Sequence, residues 1–278
     1  MNSQDFQLFG DIVRKRSGLV LTEEKVYLLE SRLVPLARRR GLESLEALAE
    51  EVRRTNDERL LNEITEAMTT NETFFFRDTK PFDIFRSVIL PQLIQSRSAK
   101  KSLRIWTAAC STGQEPYSLA MLLKEEAAKM AGWRVEILAT DLSNEVLEKA
   151  KAGLYSQFEV QRGLPIQLLM KHFQQVGEMW QIDSSIRAMV KFQPKNLLED
   201  LGSMGQFDVV FCRNVLIYFD QATKGKVLDQ VHNILADDGA LFLGGAETVL
   251  GICDSFKPIE GQRGVYTSAK RGIMAAAS

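Results

Sequence analysis

Over roughly the first eighty residues, apolar side chains recur every three or four positions and never alternate with period two. This predicts helices over 6–16, 23–40, 45–54 and 58–68. Thr22 and Ser44 stand where helix N-caps belong, and Gly18 and Gly41 where helices stop. Phe9, Ile12, Val13, Leu28, Leu33, Leu36, Leu48 and Ile64 then share inward faces, which predicts a small helical domain with its own core over 1–80. An apolar helix over 81–94, with Asp78 or Thr79 as its cap, leads through a linker rich in Ser, Lys and Arg that ends at 101.

From residue 103 the pattern changes. An apolar run, Leu103-Arg104-Ile105-Trp106-Thr107, meets the small-residue loop Ala108-Ala109-Cys110-Ser111-Thr112-Gly113, and a helix follows with Pro116 in its first turn. Gly132 is expected to end that helix. Strands over 135–140, 207–212 and 240–243 then alternate with helices over 144–151 and 221–235, the last strand following a turn at Asp237-Asp238-Gly239. A hairpin over 256–267 closes the series. Between about 154 and 193 the rhythm breaks, and runs over 179–182 and 188–192 on either side of Asp183-Ser184-Ser185 predict a small inserted antiparallel β unit. The fold class is therefore α/β. The prediction for 102–278 is a Rossmann-like seven-stranded sheet, mostly parallel with a C-terminal antiparallel hairpin, and a tail from Arg271 without order.

In such a sheet, with strand order 3-2-1-4-5, the switch point lies between the strands ending at Thr107 and Cys212. Glu115, Asp141, Asn214 and Tyr218 then converge although about a hundred residues separate them. Where a dinucleotide fingerprint has three glycines, this loop has only Gly113, followed by the acid Glu115, which would repel a pyrophosphate. The loop favours a ligand that is neutral or cationic near this point, which suits S-adenosylmethionine, with its ammonium and sulfonium, better than NAD or ATP. Asp141, at the end of the second strand, is placed to accept ribose hydroxyls. The segment Asn71-Glu72-Thr73-Phe74-Phe75-Phe76-Arg77-Asp78 is odd for a linker, because three phenylalanines bury only if the segment packs, and its polar groups then need partners.

Charge narrows the field. Thirty-five basic and 36 acidic residues give a net charge of −1, which argues against a protein devoted to neutralising phosphates. The arginines of the helical part, among them Arg38, Arg39, Arg40, Arg53 and Arg54, form a local basic face suited to steering an acidic partner. No apolar run reaches ~18 residues and the start lacks the order of a signal peptide, so a cytoplasmic protein without membrane insertion is expected. Cys110, Cys212 and Cys253 are too far apart for a zinc site or disulfide framework, and two histidines leave little for histidine or metal chemistry. No metal site is expected.

Four segments together resemble the chemotaxis protein methyltransferase (CheR) family: residues 71–78, Ala109-Cys110-Ser111-Thr112-Gly113-Gln114-Glu115-Pro116-Tyr117-Ser118, Ala139-Thr140-Asp141-Leu142-Ser143 and 211–219. The resemblance runs in order over nearly the whole chain. It implies an enzyme that uses S-adenosylmethionine, releasing S-adenosylhomocysteine, to methyl-esterify glutamates on the cytoplasmic signalling domains of chemoreceptors. It further implies a cofactor site lined by Asn71, Thr73, Arg77, Glu115, Asp141, Asn196, Leu197, Arg213 and Asn214. Arg77 and Tyr218 are the candidates for holding the substrate carboxylate, since guanidinium and phenol both donate to its oxygens. In some members of the family the inserted unit clamps a short peptide from the receptor C-terminus. Here the turn after Phe173-Gln174-Gln175-Val176-Gly177 has a single glycine, where peptide-binding members have a longer glycine-rich loop, which argues against such tethering.

Two other readings compete. A nucleic-acid or small-molecule methyltransferase is the nearer, because Asn214 stands where amine-methylating enzymes place an Asn or Asp, but the prolines that follow it there are missing. The other is a non-catalytic module that senses S-adenosylmethionine or S-adenosylhomocysteine, which the presence of Arg77 and Tyr218 opposes.

Overall fold

The computed structural model describes residues 2–270; Met1 and 271–278, including the tail expected to lack order, lie outside the described residues. Contacts divide the chain into two compact units. One is Met1–Thr70 with Tyr218–Lys224, and the other is Asn71–Ile217 with Gly225–Ser278, so residues 71–80 group with the sheet.

The helical unit has four main helices: α1 (Ser3–Ser17), α2 (Val26–Arg39), α3 (Leu45–Thr55) and α4 (Glu58–Met68). Ser44 caps α3 as predicted, its hydroxyl accepting the Ala47 N–H at 3.2 Å, and Asn2 and Asp57 cap α1 and α4. Thr22 does not cap α2. A short 3₁₀ turn, Glu23–Lys25, intervenes, and it is the Thr22 carbonyl that accepts the Lys25 N–H at 2.8 Å. Phe9, Val13, Leu33, Leu36, Leu48 and Ile64 are buried as expected, while Ile12 and Leu28 pack on the margin. Tyr218 joins that margin, its carbonyl accepting the Val20 N–H at 2.9 Å, and Arg14 reaches Asp220 at 2.8 Å. Bonds from Thr223, then the Arg14 charge, bring the Asp220 carboxyl down to about 2.

The second unit is built on ten strands: β1 (Ser102–Ala108), β2 (Arg134–Asp141), β3 (Leu154–Ser156), β4 (Phe173–Val176), β5 (Met179–Ile182), β6 (Val190–Pro194), β7 (Phe207–Cys212), β8 (Leu235–Leu243), β9 (Phe256–Pro258) and β10 (Val265–Ser268). Seven form one sheet in the order β6-β2-β1-β7-β8-β10-β9. The first five are mutually parallel, and β10 runs antiparallel to both β8 and β9. This is the predicted 3-2-1-4-5 order with a closing hairpin. Every residue of β7 is buried, as a central parallel strand covered on both faces requires.

Four local predictions are corrected. The run near 188–192 is no part of the inserted unit: Asp183 caps a turn of helix, Ser184–Arg187, and the chain re-enters the main sheet as β6, parallel to β2. The insertion's sheet is instead β3-β5-β4, all antiparallel. The Asp237-Asp238-Gly239 turn is an irregularity inside β8, where Phe207 pairs with Leu235 but Val209 with Ala240. The helix after the loop that follows β1 ends at Glu125, and a 3₁₀ turn, Ala127–Met130, precedes Gly132. Finally, neither Asp78 nor Thr79 caps the helix starting at Lys80 with its side chain; Asp78 is engaged by Arg213.

Candidate active site

The carboxyl ends of β1, β2 and β7 meet at the switch point, and the loop after β1 is moulded there by hydrogen bonds. Ala109 and Ser111 both adopt left-handed backbone, φ 52° and 51°, which a non-glycine residue keeps only when its surroundings enforce it. The Cys110 N–H donates to the Thr140 carbonyl at 2.9 Å, and the Ser111 N–H to Asp141 Oδ2 at 2.8 Å. Asp141 Oδ1 accepts the Ser143 N–H at 3.0 Å, and its carbonyl accepts the Lys195 N–H at 2.9 Å. Asp141 therefore ties together the β1 loop, the entry to the helix Asn144–Ala152 and the segment after β6. That segment carries Asn196, whose Oδ1 accepts the Leu198 N–H at 3.0 Å, and the buried Leu197.

Arg213, at the end of β7, is the other organising residue, with a side chain only 1% exposed. Its Nη1 donates to Glu115 Oε2 at 2.7 Å, and its Nη2 to Asp78 Oδ2 at 2.6 Å and to the Arg77 carbonyl at 2.9 Å. One guanidinium thus joins the start of the helix Gln114–Glu125 to the 71–78 segment. Burial pushes the Glu115 carboxyl above the ordinary carboxylate range, with the Arg213 charge pulling the other way, then Arg77 more weakly. Arg213 Nε is buried without a hydrogen-bond partner. Burial also raises the thiols of Cys110 and Cys212, so both stay protonated at neutral pH, and all three cysteines are free.

The 71–78 segment packs as its phenylalanines require. Phe75 is fully buried, edge-on to Tyr155 and Phe173 of the insertion with ring centroids 5.0 and 5.7 Å away. Gly163 is glycine by necessity, since a Cβ there would lie 2.1 Å from the Phe75 carbonyl oxygen. Arg162 stacks over Phe74 at 4.4 Å and reaches Glu72 at 2.6 Å, while Arg77 Nη1 donates to the Glu72 carbonyl at 2.6 Å. The Asn71 carbonyl accepts the Ser111 hydroxyl at 2.8 Å, which joins this segment to the β1 loop. Thr73 is half-buried.

The predicted residues of the sheet unit thus gather around one edge. Tyr218 is the exception, grouping with the helical unit. The description "CheR methyltransferase, SAM binding domain" fits residues 71–265, and "CheR methyltransferase, all-alpha domain" fits residues 4–69. The chain belongs to the CheR methyltransferase family. The chemotaxis protein methyltransferase 1 of Pseudomonas aeruginosa is similar to it at 41% identity over 270 residues, covering 96% of this chain and 98% of that protein. The chemotaxis protein methyltransferase Cher2 of Pseudomonas putida reaches 38% over 270 residues with the same coverage. The chemotaxis protein methyltransferase of Borreliella burgdorferi reaches 35% over 245 residues, 86% of each chain.

This methyltransferase uses S-adenosylmethionine, and the residues present suit it. Glu115 offers a carboxylate of the kind that suits an ammonium, and the orphaned Arg213 Nε a donor of the kind that suits a carboxylate oxygen. Among the described residues no helix is long and apolar enough to cross a membrane. Sequence reasoning missed Glu247, whose carboxylate accepts N–H groups from the loop after β7. An acid four residues beyond the strand next to the switch point was the available signal.

Proposed function

We propose that this methyltransferase esterifies glutamate side chains on the cytoplasmic signalling domains of chemoreceptors. The observation that carries the proposal is the near-complete match to relatives named chemotaxis protein methyltransferases, together with a site that has no histidine. His172 bonds to Glu125 at 3.0 Å and His232 to Ser268 at 3.1 Å, neither at the β1–β7 crevice. A glutamate acceptor needs no base, because a solvated glutamate side chain, with a pKa of about 4.3, is already an anion at neutral pH.

In this reading Glu115 pairs with the ammonium of S-adenosylmethionine, Asp141 receives the ribose, and Asn196 and Leu197 meet the adenine. Asn71, Thr73, Arg213 and Asn214 frame the methionine part. The cofactor supplies an electrophilic methyl group on a sulfonium that leaves as a neutral thioether. The chain's task is to orient the acceptor oxygen in line with that methyl and to keep water away. Arg77 and Tyr218 hold the acceptor carboxylate by donating to it. The Glu72 carbonyl already takes one Arg77 donor, so Arg77 orients the glutamate without wholly quenching its charge.

The basic side chains of the helical unit serve as a docking face for the acidic, helical substrate. Arg40 is engaged by Glu63, Arg53 by Asp5 and Arg54 by Glu51, which leaves Arg38 and Arg39 as the exposed cations of that set with no salt bridge among the described residues. The two-residue turn at Gly177-Glu178 between β4 and β5 keeps peptide tethering out of this reading. Incubation with labelled cofactor and isolated receptor signalling domains should yield alkali-released labelled methanol. Label in nucleic acid, or none on any receptor, would sink the proposal.

A further inference from the structure

The loop leaves β7 with Asn214 in left-handed conformation, φ 59°, a costly state for a residue with a side chain. Opposite it stands Glu247, 9% exposed, just beyond the end of β8. Its Oε2 accepts the N–H of Gly244 at 2.7 Å and of Asn214 at 2.8 Å. Its Oε1 accepts the N–H of Val215 at 3.0 Å and of Ile217 at 3.2 Å. Four backbone donors converge on one carboxylate, the arrangement of an anion-binding nest filled from within the chain.

The fit is close on every side. A Cβ on Gly244 would lie 2.7 Å from Glu247 Oε2, 2.8 Å from Asn214 Nδ2 and 2.9 Å from Asn214 N, so this position admits only glycine without a shift of the loop. Hydrogen bonds to an ionised acceptor are about twice as strong as neutral ones, and buried donors left without one cost their full desolvation. Neutral groups could cap a turn, but only a carboxylate satisfies two pairs of N–H groups with two equivalent oxygens.

We infer that Glu247 is a positioning residue for cofactor binding: its carboxylate locks the loop after β7 so that Arg213 and Asn214 face the cofactor. This rests on the reading that the Arg213–Asn214 pair lines that site. Glu247 itself touches neither substrate nor cofactor in this account; it acts through the loop.

The test compares Glu247→Gln with Asn214→Ala in the full chain, measuring S-adenosylhomocysteine binding by calorimetry and folding by circular dichroism and thermal melting. Glutamine keeps the shape but turns one oxygen into an NH₂ facing two N–H donors. The expected result is a folded Glu247→Gln protein whose Kd for S-adenosylhomocysteine rises about ten-fold or more, alongside a similar loss in Asn214→Ala. A merely structural role would lower the melting temperature and leave the Kd of the folded protein alone. Wild-type affinity in folded Glu247→Gln with weakened Asn214→Ala overturns the inference and spares the site reading. Wild-type affinity in Asn214→Ala overturns the site reading and the inference with it. Should Glu247→Gln not fold, Gly244→Ala perturbs the same nest and is read the same way. If neither folds, the carboxylate serves the fold and the inference is lost.

Discussion

The arginines of this methyltransferase divide into two regions that use the same guanidinium to different ends. On the helical unit, Arg40 and Arg54 meet carboxylates at the surface, with side chains 28% and 68% exposed, while Arg53 reaches the buried Asp5. At the edge of the sheet, Arg213 is 1% exposed and holds Glu115, Asp78 and the Arg77 carbonyl together. Exposed pairs are screened by water and contribute roughly 0–1 kcal/mol each, whereas unpairing a buried ion costs several. It follows that breaking an exposed pair on the helical unit costs little, while Arg213 is committed to the architecture around the loop after β1.

Arg213→Met puts that contrast under the greatest strain. It leaves the largely buried Glu115 without its ion-pair partner, only the weaker Arg77 charge remaining, and chemical denaturation should show a loss of about 3–5 kcal/mol. Asp141→Ala should come next. It removes the acceptor for the Ser111 and Ser143 N–H groups as well as the proposed ribose ligand, and calorimetry should show S-adenosylhomocysteine affinity reduced by about 100-fold or more.

Tyr218→Phe should lower turnover about ten-fold with cofactor affinity unchanged, the expected cost of one donor to a carboxylate. Equal loss of affinity in the Asp141 and Tyr218 variants would show that their roles are misplaced. Glu115→Gln addresses the buried pair through pH. The folded pKa of Glu115 lies above its unfolded value, so between the two the folded state holds the extra proton. Stability contributed by the protonated form is complete below about pH 4.3 and is lost as pH rises through the folded pKa. Subtracting the variant's stability curve from the wild type's should isolate that downward slope; an upward slope would mean that the Arg213 charge outweighs burial. The smallest effect belongs to Arg54→Ala, whose pair with Glu51 is exposed and local: a change below about 1 kcal/mol in the same denaturation experiment.

Much of this could be read along the chain because periodicity and strand order are carried by residues close in sequence. The helical repeats, β1, β2 and β7, the 3-2-1-4-5 order and the position of Asp141 all follow from local pattern and the handedness of parallel crossovers. Where local pattern misled, a distant contact had decided. Asp78 looked like a helix cap, yet Arg213 claims it from 135 residues away. Residues 188–192 looked like the partner of 179–182, yet their strand adds to β2.

Glu115 marks the boundary between the two kinds of knowledge. That an acid follows the loop in place of phosphate-binding glycines, an order expected to disfavour a phosphate at this point, is plain from the sequence. That this acid is largely buried, raised in pKa and paired with Arg213, and that Glu247 gathers four N–H groups to set the loop bearing Arg213, emerges only in the folded chain. One cause underlies both cases: a residue's type is written locally, but its desolvation and its partners depend on which distant segments the sheet brings beside it.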